Sequence, residues 1–182
     1  MASRPSSLGY ALLGLLHFAP QSGYDLRKTF LTTPLSVFSD SPGAIYPALR
    51  RLARQGWIAA QPGARGGRRR QVFAPTAAGR RAFRDWLGHR PTRDDVARGW
   101  GVLMLRLAFM GAVPDAPLRT FLEAIRSELQ AHVAELARFE AQRAAEMPLE
   151  GRLAFASGLQ GYRAQLAWAE SALAKARRKE KR

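Results

Sequence analysis

Apolar residues along the chain fall into helical stripes, interrupted once by a short pair of strand-like segments. Leu8, Ala11, Leu12, Leu15 and Leu16 recur at helical spacing behind Ser6 or Ser7, either of which can cap free N–H groups. Ala19-Pro20 ends that helix. Ser22-Gly23-Tyr24-Asp25 is a capping-box pattern, and the helix it opens carries Leu26 and Phe30 on one face and Arg27 and Lys28 on another. A third helix is predicted over Pro42–Gln55. Ser41 suits its N-cap and Pro42 its first position, where no N–H is needed, while Gly56 closes it. Ile45, Leu49 and Leu52 form its core stripe. Tyr46, Arg50 and Arg54 form a neighbouring stripe, with Arg51 beside them.

Trp57–Gln61 and Gln71–Ala74 read as two short strands around a Gly/Pro-punctuated turn whose tip, Arg65–Arg70, is rich in arginine. Thr76 caps a further helix through Phe83, Trp86 and Leu87, and His89-Arg90-Pro91 marks a domain boundary. The second half reads as helical almost throughout. Thr92-Arg93-Asp94-Asp95 is another capping box, leading into Val96, Trp100, Leu103 and Leu107 at helical spacing. Gly111 to Pro117 breaks the pattern. Leu118, Leu122, Ile125, Leu129, His132, Leu136 and Phe139 then repeat in steps of four and three, a coiled-coil-like seam of about three heptads. Met147-Pro148 turns the chain into a last long helix, and Lys175–Arg182 reads as a frayed basic tail. The fold class expected is mainly α, with a winged helix-turn-helix over 1–90 and a helical, coiled-coil-like dimerisation domain over 91–182.

Charge sharpens that division. Residues 1–90 hold 14 Lys/Arg against 3 Asp/Glu, whereas residues 91–182 hold 15 against 11. So lopsided a basic balance attracts a polyanion. With no cysteine in the chain, disulfides and thiolate metal sites are excluded. The apolar run Leu8–Ala19 has the outline of a short signal peptide. Tyr10 and His17 interrupt it, however, and no Ala-x-Ala site follows, so a cytoplasmic protein without membrane association is expected. His17, His89 and His132 are far apart, and no nucleophile elbow, phosphate loop or metal-ligand spacing is present. The expectation is therefore a binding protein with no cofactor and no metal, not an enzyme.

Helix, capped helix, basic helix and arginine-tipped hairpin, in that order, are the parts of a winged helix. The second helix of a helix-turn-helix enters the major groove with its N-terminal half against the base edges. Here Tyr46 can donate to a phosphate, and Arg50 and Arg51 can bond phosphate or pair with guanine. Arg50 is the preferred base reader because it shares a stripe with Tyr46. Arg68, Arg69 and Arg70 would lie along the backbone or in the neighbouring minor groove.

Three segments also carry a family resemblance: Leu8-Gly9-Tyr10-Ala11-Leu12-Leu13-Gly14-Leu15-Leu16, Pro20-Gln21-Ser22-Gly23-Tyr24-Asp25-Leu26, and Ser41-Pro42-Gly43-Ala44-Ile45-Tyr46-Pro47-Ala48-Leu49-Arg50-Arg51-Leu52. Together with Thr76-Ala77-Ala78-Gly79-Arg80, they closely resemble PadR-type transcriptional regulators, in a long form with an extended helical C-terminal domain. The resemblance is strong over residues 6–88 and holds in outline beyond. It implies a homodimer on a double-stranded operator and repression relieved by a small molecule. It also implies groove-facing positions at Ser41, Gly43, Tyr46, Arg50 and Arg51, with Ser22, Gly23 and Tyr24 near the DNA backbone. Lys28 joins this DNA-facing set. Ala53 stands where the family commonly has an acidic residue, which makes this helix more basic.

In the second half, Trp100 reads first as a core or interface anchor. A sharper alternative places it with Leu103, Met104 and Leu107 in an apolar effector pocket. The seam residues Leu122, Ile125, Leu129, His132, Leu136 and Phe139 are the expected dimer interface, with intrachain packing as the competing use. Two rival functions stand beside the repressor: a nucleoid-like architectural protein with little sequence preference, and a protein-docking winged helix, against which the basic balance argues.

Overall fold

The computed structural model describes residues 6–39, 42–62, 71–114 and 116–180. They divide into two compact units, one holding the described residues of 1–87 and 108–116, the other those of 88–107 and 117–182.

In the first unit α1 (Ser7–Phe18) is the central element, packing against α3 (Ile45–Arg54) and β2 (Gln71–Pro75). Ser6 caps it, its hydroxyl accepting from the Gly9 amide at 3.3 Å. Leu8, Ala11, Leu12, Leu13 and Leu16 are all buried, more than one face's worth, because other elements cover α1 on several sides. α2 (Gly23–Thr32) opens on a complete capping box: the Ser22 amide donates to Asp25 Oδ2 and the Asp25 amide to Ser22 Oγ, both at 3.3 Å. A 3-10 turn at Pro42–Ala44 precedes α3, which buries Ile45, Ala48, Leu49 and Leu52. The proposed cap at Ser41 lies outside the described residues. Gly56, at φ 70°, ends this segment in the left-handed region that a side chain disfavours.

β1 (Ile58–Pro62) pairs antiparallel with β2, from Ile58 opposite Pro75 to Pro62 opposite Gln71. A third backbone segment joins them: the Gln21 amide donates to the Phe73 carbonyl at 3.2 Å, and the Phe73 amide returns a bond of 2.8 Å. The connection between α1 and α2 thus anchors the base of the hairpin. α4 (Ala77–Gly88) starts beneath it. The Thr76 hydroxyl accepts from the Gly79 amide at 3.0 Å and donates to the Gly56 carbonyl at 2.6 Å, tying the start of α4 to the end of α3. Aromatic rings close the unit. Tyr10 stacks on Trp86 at 4.4 Å, and Phe109 lies 6.1 Å from Phe18 and 6.0 Å from Phe83.

The second unit contains α5 (Arg93–Arg98), most of α6 (Trp100–Phe109), α7 (Leu118–Arg143) and α8 (Leu149–Glu180). Thr92 and Asp95 form the expected capping box. The spacing of Val96, Trp100, Leu103 and Leu107 reads as one helix, but the chain breaks at Gly99. Its amide closes α5 on the Asp95 carbonyl at 2.9 Å, and its carbonyl accepts from Val102 and Leu103 to start α6. α7 and α8 pair along their lengths, Phe139 meeting Phe155, His132 meeting Tyr162, and Leu122 packing with Leu173 and Ala176. The expected fraying after Lys175 is corrected by this contact. Leu173 and Ala176 anchor the last turns, Arg177 reaches Glu123 at 3.5 Å, and the helix continues through Glu180.

Arg106 is buried in this unit, 4% exposed, its guanidinium donating to the His89 carbonyl and lying 4.7 Å over the Phe121 ring. Burial lowers its pKa and the Asp95 carboxylate partly restores it.

Candidate nucleic-acid interface

α3 is strongly two-sided. Ile45, Ala48, Leu49 and Leu52 face the core, and Tyr46, Arg50, Arg51 and Arg54 face solvent. Among the described residues, none of these three arginines has a carboxylate partner. With Pro47 and Ala53 they line an open hollow of about 520 Å³. Three guanidinium groups and a phenol on one helix face, with no acceptor among the described residues, are donors that a phosphate backbone or guanine edge would satisfy.

The start of α2 adjoins this face. Tyr46 and Tyr24 remain 45% and 55% exposed, and the Tyr46 ring packs against the backbone of Gly23. Gly43, Arg27 and Lys28 are exposed. Ser22 is different: it is buried, and its hydroxyl is occupied by Asp25 Oδ2 at 2.6 Å as well as by the Asp25 amide. The side chain expected near the DNA backbone is instead committed to the cap. Ser41 and the tip arginines Arg68, Arg69 and Arg70 lie outside the described residues; the strands that lead to the tip leave Ala59, Ala60, Gln61 and Gln71 exposed.

His17, at the end of α1, is a titratable group in this unit for which sequence reading found no use. Its Nδ1 lies 2.8 Å from the Leu13 carbonyl and its ring stacks on Phe83 at 4.2 Å. Burial is the main cause of its lowered pKa; Arg80 and Arg84 lower it further and the Leu13 hydrogen bond opposes them.

Two segments of the chain match known protein families. Residues 12–85 match the transcriptional regulator PadR-like family, and residues 102–177 match the virulence activator alpha C-term family. The first of these segments thus carries a PadR-like domain. It is 32% identical over 91 residues to the negative transcriptional regulator PadR of Bacillus subtilis, a match covering 49% of this chain and 50% of that relative. The chain thus spans about half the length of the curated relative it matches. Similar solved structures include Bacillus subtilis PadR in complex with operator DNA (24% identity, TM-score 0.43, 95% of this chain and 99% of that one). The same protein with p-coumaric acid has 23% identity and TM-score 0.41, covering 93% and 94%. The Vibrio cholerae virulence activator AphA has 23% identity and TM-score 0.36, covering 93% and 98%. The family is one of regulators, not enzymes. Among the described residues no helix is long and apolar enough to cross a membrane, and no group of His, Asp and Glu could hold a metal ion.

In the second unit Trp100 meets Trp168 edge-on at 5.4 Å, Leu103 is buried, Met104 is half-buried and Leu107 packs on Leu122 and Leu173. The anchor use of Trp100 is thus visible within one chain. Its partner Trp168 escaped sequence reading, although the aromatic spacing rule that flagged Trp100 applies equally on α8. The seam of α7 divides. Leu122, Ile125 and Leu129 are at most 2% exposed, already covered within one chain, whereas His132 and Leu136 are half-buried and Phe139 is 45% exposed. Leu149 and Leu153, apolar positions of the last helix, are exposed on the first turns of α8.

Proposed function

We propose that this chain is a sequence-specific transcriptional regulator that binds duplex DNA as a homodimer and represses, with a small molecule relieving its grip. The observation that carries the DNA reading is the solvent face of α3, where Tyr46, Arg50, Arg51 and Arg54 stand exposed, with no acidic partner among the described residues, beside the capped start of α2. In the reading, Arg50 and Arg51 meet base edges or phosphates while Tyr46, Tyr24 and Lys28 hold the backbone. Ser41, Gly43 and the arginines at 68–70 complete the contact.

The name of the Bacillus subtilis relative, a negative regulator, motivates repression as its sign. Self-association takes place through the part of the seam left open in one chain, Phe139 and Leu136 with Leu149 and Leu153. The two-fold dimer sets its recognition helices about one helical turn apart on a near-palindrome. An effector acts by binding one arrangement of the dimer more tightly than the other, with Trp100, Leu103, Met104 and Leu107 as the site to probe.

Footprinting the DNA upstream of the protein's own gene, followed by titration of that fragment and a scrambled one at physiological salt, tests the core of the proposal. A preference of about a thousandfold or more is expected of a specific regulator. A ratio near one would favour the architectural alternative. Tryptophan fluorescence against a panel of aromatic acids, p-coumaric acid among them, tests the effector site; no quench from any of them would remove it.

A further inference from the structure

We infer that Gly23 is a positioning residue for DNA recognition: the missing side chain at the start of α2 leaves a notch that seats the Tyr46 ring and aims it out of the recognition helix. This rests on the DNA reading above and adds a positioning role for a residue that the family resemblance places only near the DNA backbone. A Cβ built on Gly23 would stand 2.7 Å from Tyr46 Cε1, 3.3 Å from Tyr46 Cδ1 and 3.4 Å from Leu49 Cδ1. The edge of the tyrosine ring therefore occupies space that every residue but glycine would fill.

The notch is rigid. Gly23 is the first residue of α2, buried, and the residue before it is held by the reciprocal Ser22–Asp25 bonds. Leu49, fully buried one turn along α3 from Ile45, closes its far side. Tyr46 is nevertheless 45% exposed, so the notch grips one edge and leaves the rest of the ring to solvent. Arg50 follows one helical turn later on the same stripe. A phenol held this way loses little rotamer freedom on meeting DNA, and preorganisation of that kind raises affinity by lowering the cost of ordering.

The obstacle to a larger residue at 23 is a side-chain ring at a helix surface, which can swing away. Gly23→Ala is therefore expected to fold, with a thermal midpoint equal to or slightly above wild type, since alanine also favours the helix. What changes is where Tyr46 points. Four proteins are compared: wild type, Gly23→Ala, Tyr46→Ala and the double variant. Each is titrated against the duplex that wild type enriches from a random-sequence library, and against a scrambled duplex, over a range of salt.

Gly23→Ala is expected to weaken binding to the enriched duplex about fivefold to tenfold, the worth of one placed hydrogen bond. Binding to the scrambled duplex should weaken by a similar factor, because Tyr46 is read as a backbone contact, while the salt slope should stay as in wild type, because no cation has been removed. In the Tyr46→Ala background the same change should cost nothing further. Equal binding by Gly23→Ala and wild type would overturn the inference, as would an undiminished loss in the Tyr46→Ala background. If Gly23→Ala alone fails to fold, the double variant decides, since the ring is then gone. Binding by that variant equal to Tyr46→Ala supports the notch, and weaker binding overturns it. A wild-type protein that enriches no duplex would refute the DNA reading first, and the inference with it.

Discussion

Gly79→Ala tests how the hairpin is hung on the helices. A Cβ at this position would lie 1.9 Å from the Trp57 carbonyl oxygen, 2.8 Å from its carbon and 3.1 Å from its Cα. All three are backbone atoms, so no rotamer change relieves the clash. Moving from 1.9 Å to an ordinary contact of 3.4 Å requires α4 and the Trp57 backbone to separate by about 1.5 Å. That gap cannot open quietly. The Trp57 carbonyl accepts from the Thr76 amide at 2.9 Å, the Trp57 amide donates to Leu52 at 3.0 Å, and Thr76 Oγ1 bridges Gly56 and Gly79.

Losing two of these hydrogen bonds costs about 1–3 kcal/mol and forcing the backbones apart a further 1–3 or so. Alanine's helix preference returns about 1 kcal/mol. The net is a loss of about 3 kcal/mol, a large fraction of the roughly 5–15 kcal/mol that holds a domain together. Urea unfolding followed by far-ultraviolet circular dichroism measures it, with Gly88→Ala as the comparison. Gly88 lies at the end of the same helix with nothing within 4 Å of a built Cβ, so that change should be worth no more than about 1 kcal/mol either way. A Gly79→Ala protein as stable as Gly88→Ala would refute the reasoning.

Three further outcomes are expected. Arg50→Ala should weaken operator binding by about 1–3 kcal/mol and relax specificity at one base pair, read by titration against single-substituted operators; a uniform loss across all of them would make Arg50 a phosphate contact. The His17 pKa is lowered in the folded protein, so the unfolded chain takes up the proton first, near pH 6.5. The stability this residue contributes is complete above about pH 6.5 and declines as pH falls through the folded value. His17→Gln should then show a flatter stability profile on the acid side, and parallel profiles would remove the assignment. Phe139→Glu should shift the sedimentation equilibrium toward monomer without lowering the helical signal, because that side chain is 45% exposed in one chain; an unchanged dimer would place the interface elsewhere.

The first unit was largely legible because its signals are local. Ser22 and Asp25, Thr76, Gly56 and the core stripe of α3 each act within a few residues of their own position, and the helix and strand boundaries follow from them. What escaped were pairings between distant segments. The bond between Gln21 and Phe73, which anchors the hairpin, leaves no mark on the side chains at either end. Ser22 shows the limit from the other side. Its capping role is legible in the Ser22-Gly23-Tyr24-Asp25 pattern, but that its hydroxyl also donates to Asp25 Oδ2 at 2.6 Å, leaving it buried, is not. The break at Gly99 was hidden for a related reason, since apolar spacing carries on across a glycine that ends one helix and begins another.

The α7 seam is the deeper case. A heptad pattern states that a face is covered and is silent about what covers it. Leu122, Ile125 and Leu129 satisfy the pattern by packing within their own chain, and the fully buried Ile125 and Leu129 have no surface left for a second copy. Toward the far end of the helix the same stripe continues through Leu136 to Phe139, but there the cover thins: Phe139 touches Phe155 and still keeps 45% of its surface in water, and Leu149 and Leu153 are more exposed again. One periodic signal thus serves two purposes in sequence, an intrachain core at one end and an unfilled apolar edge at the other. The proposed self-association is therefore best tested at residues where the heptad pattern and the protomer's own burial disagree.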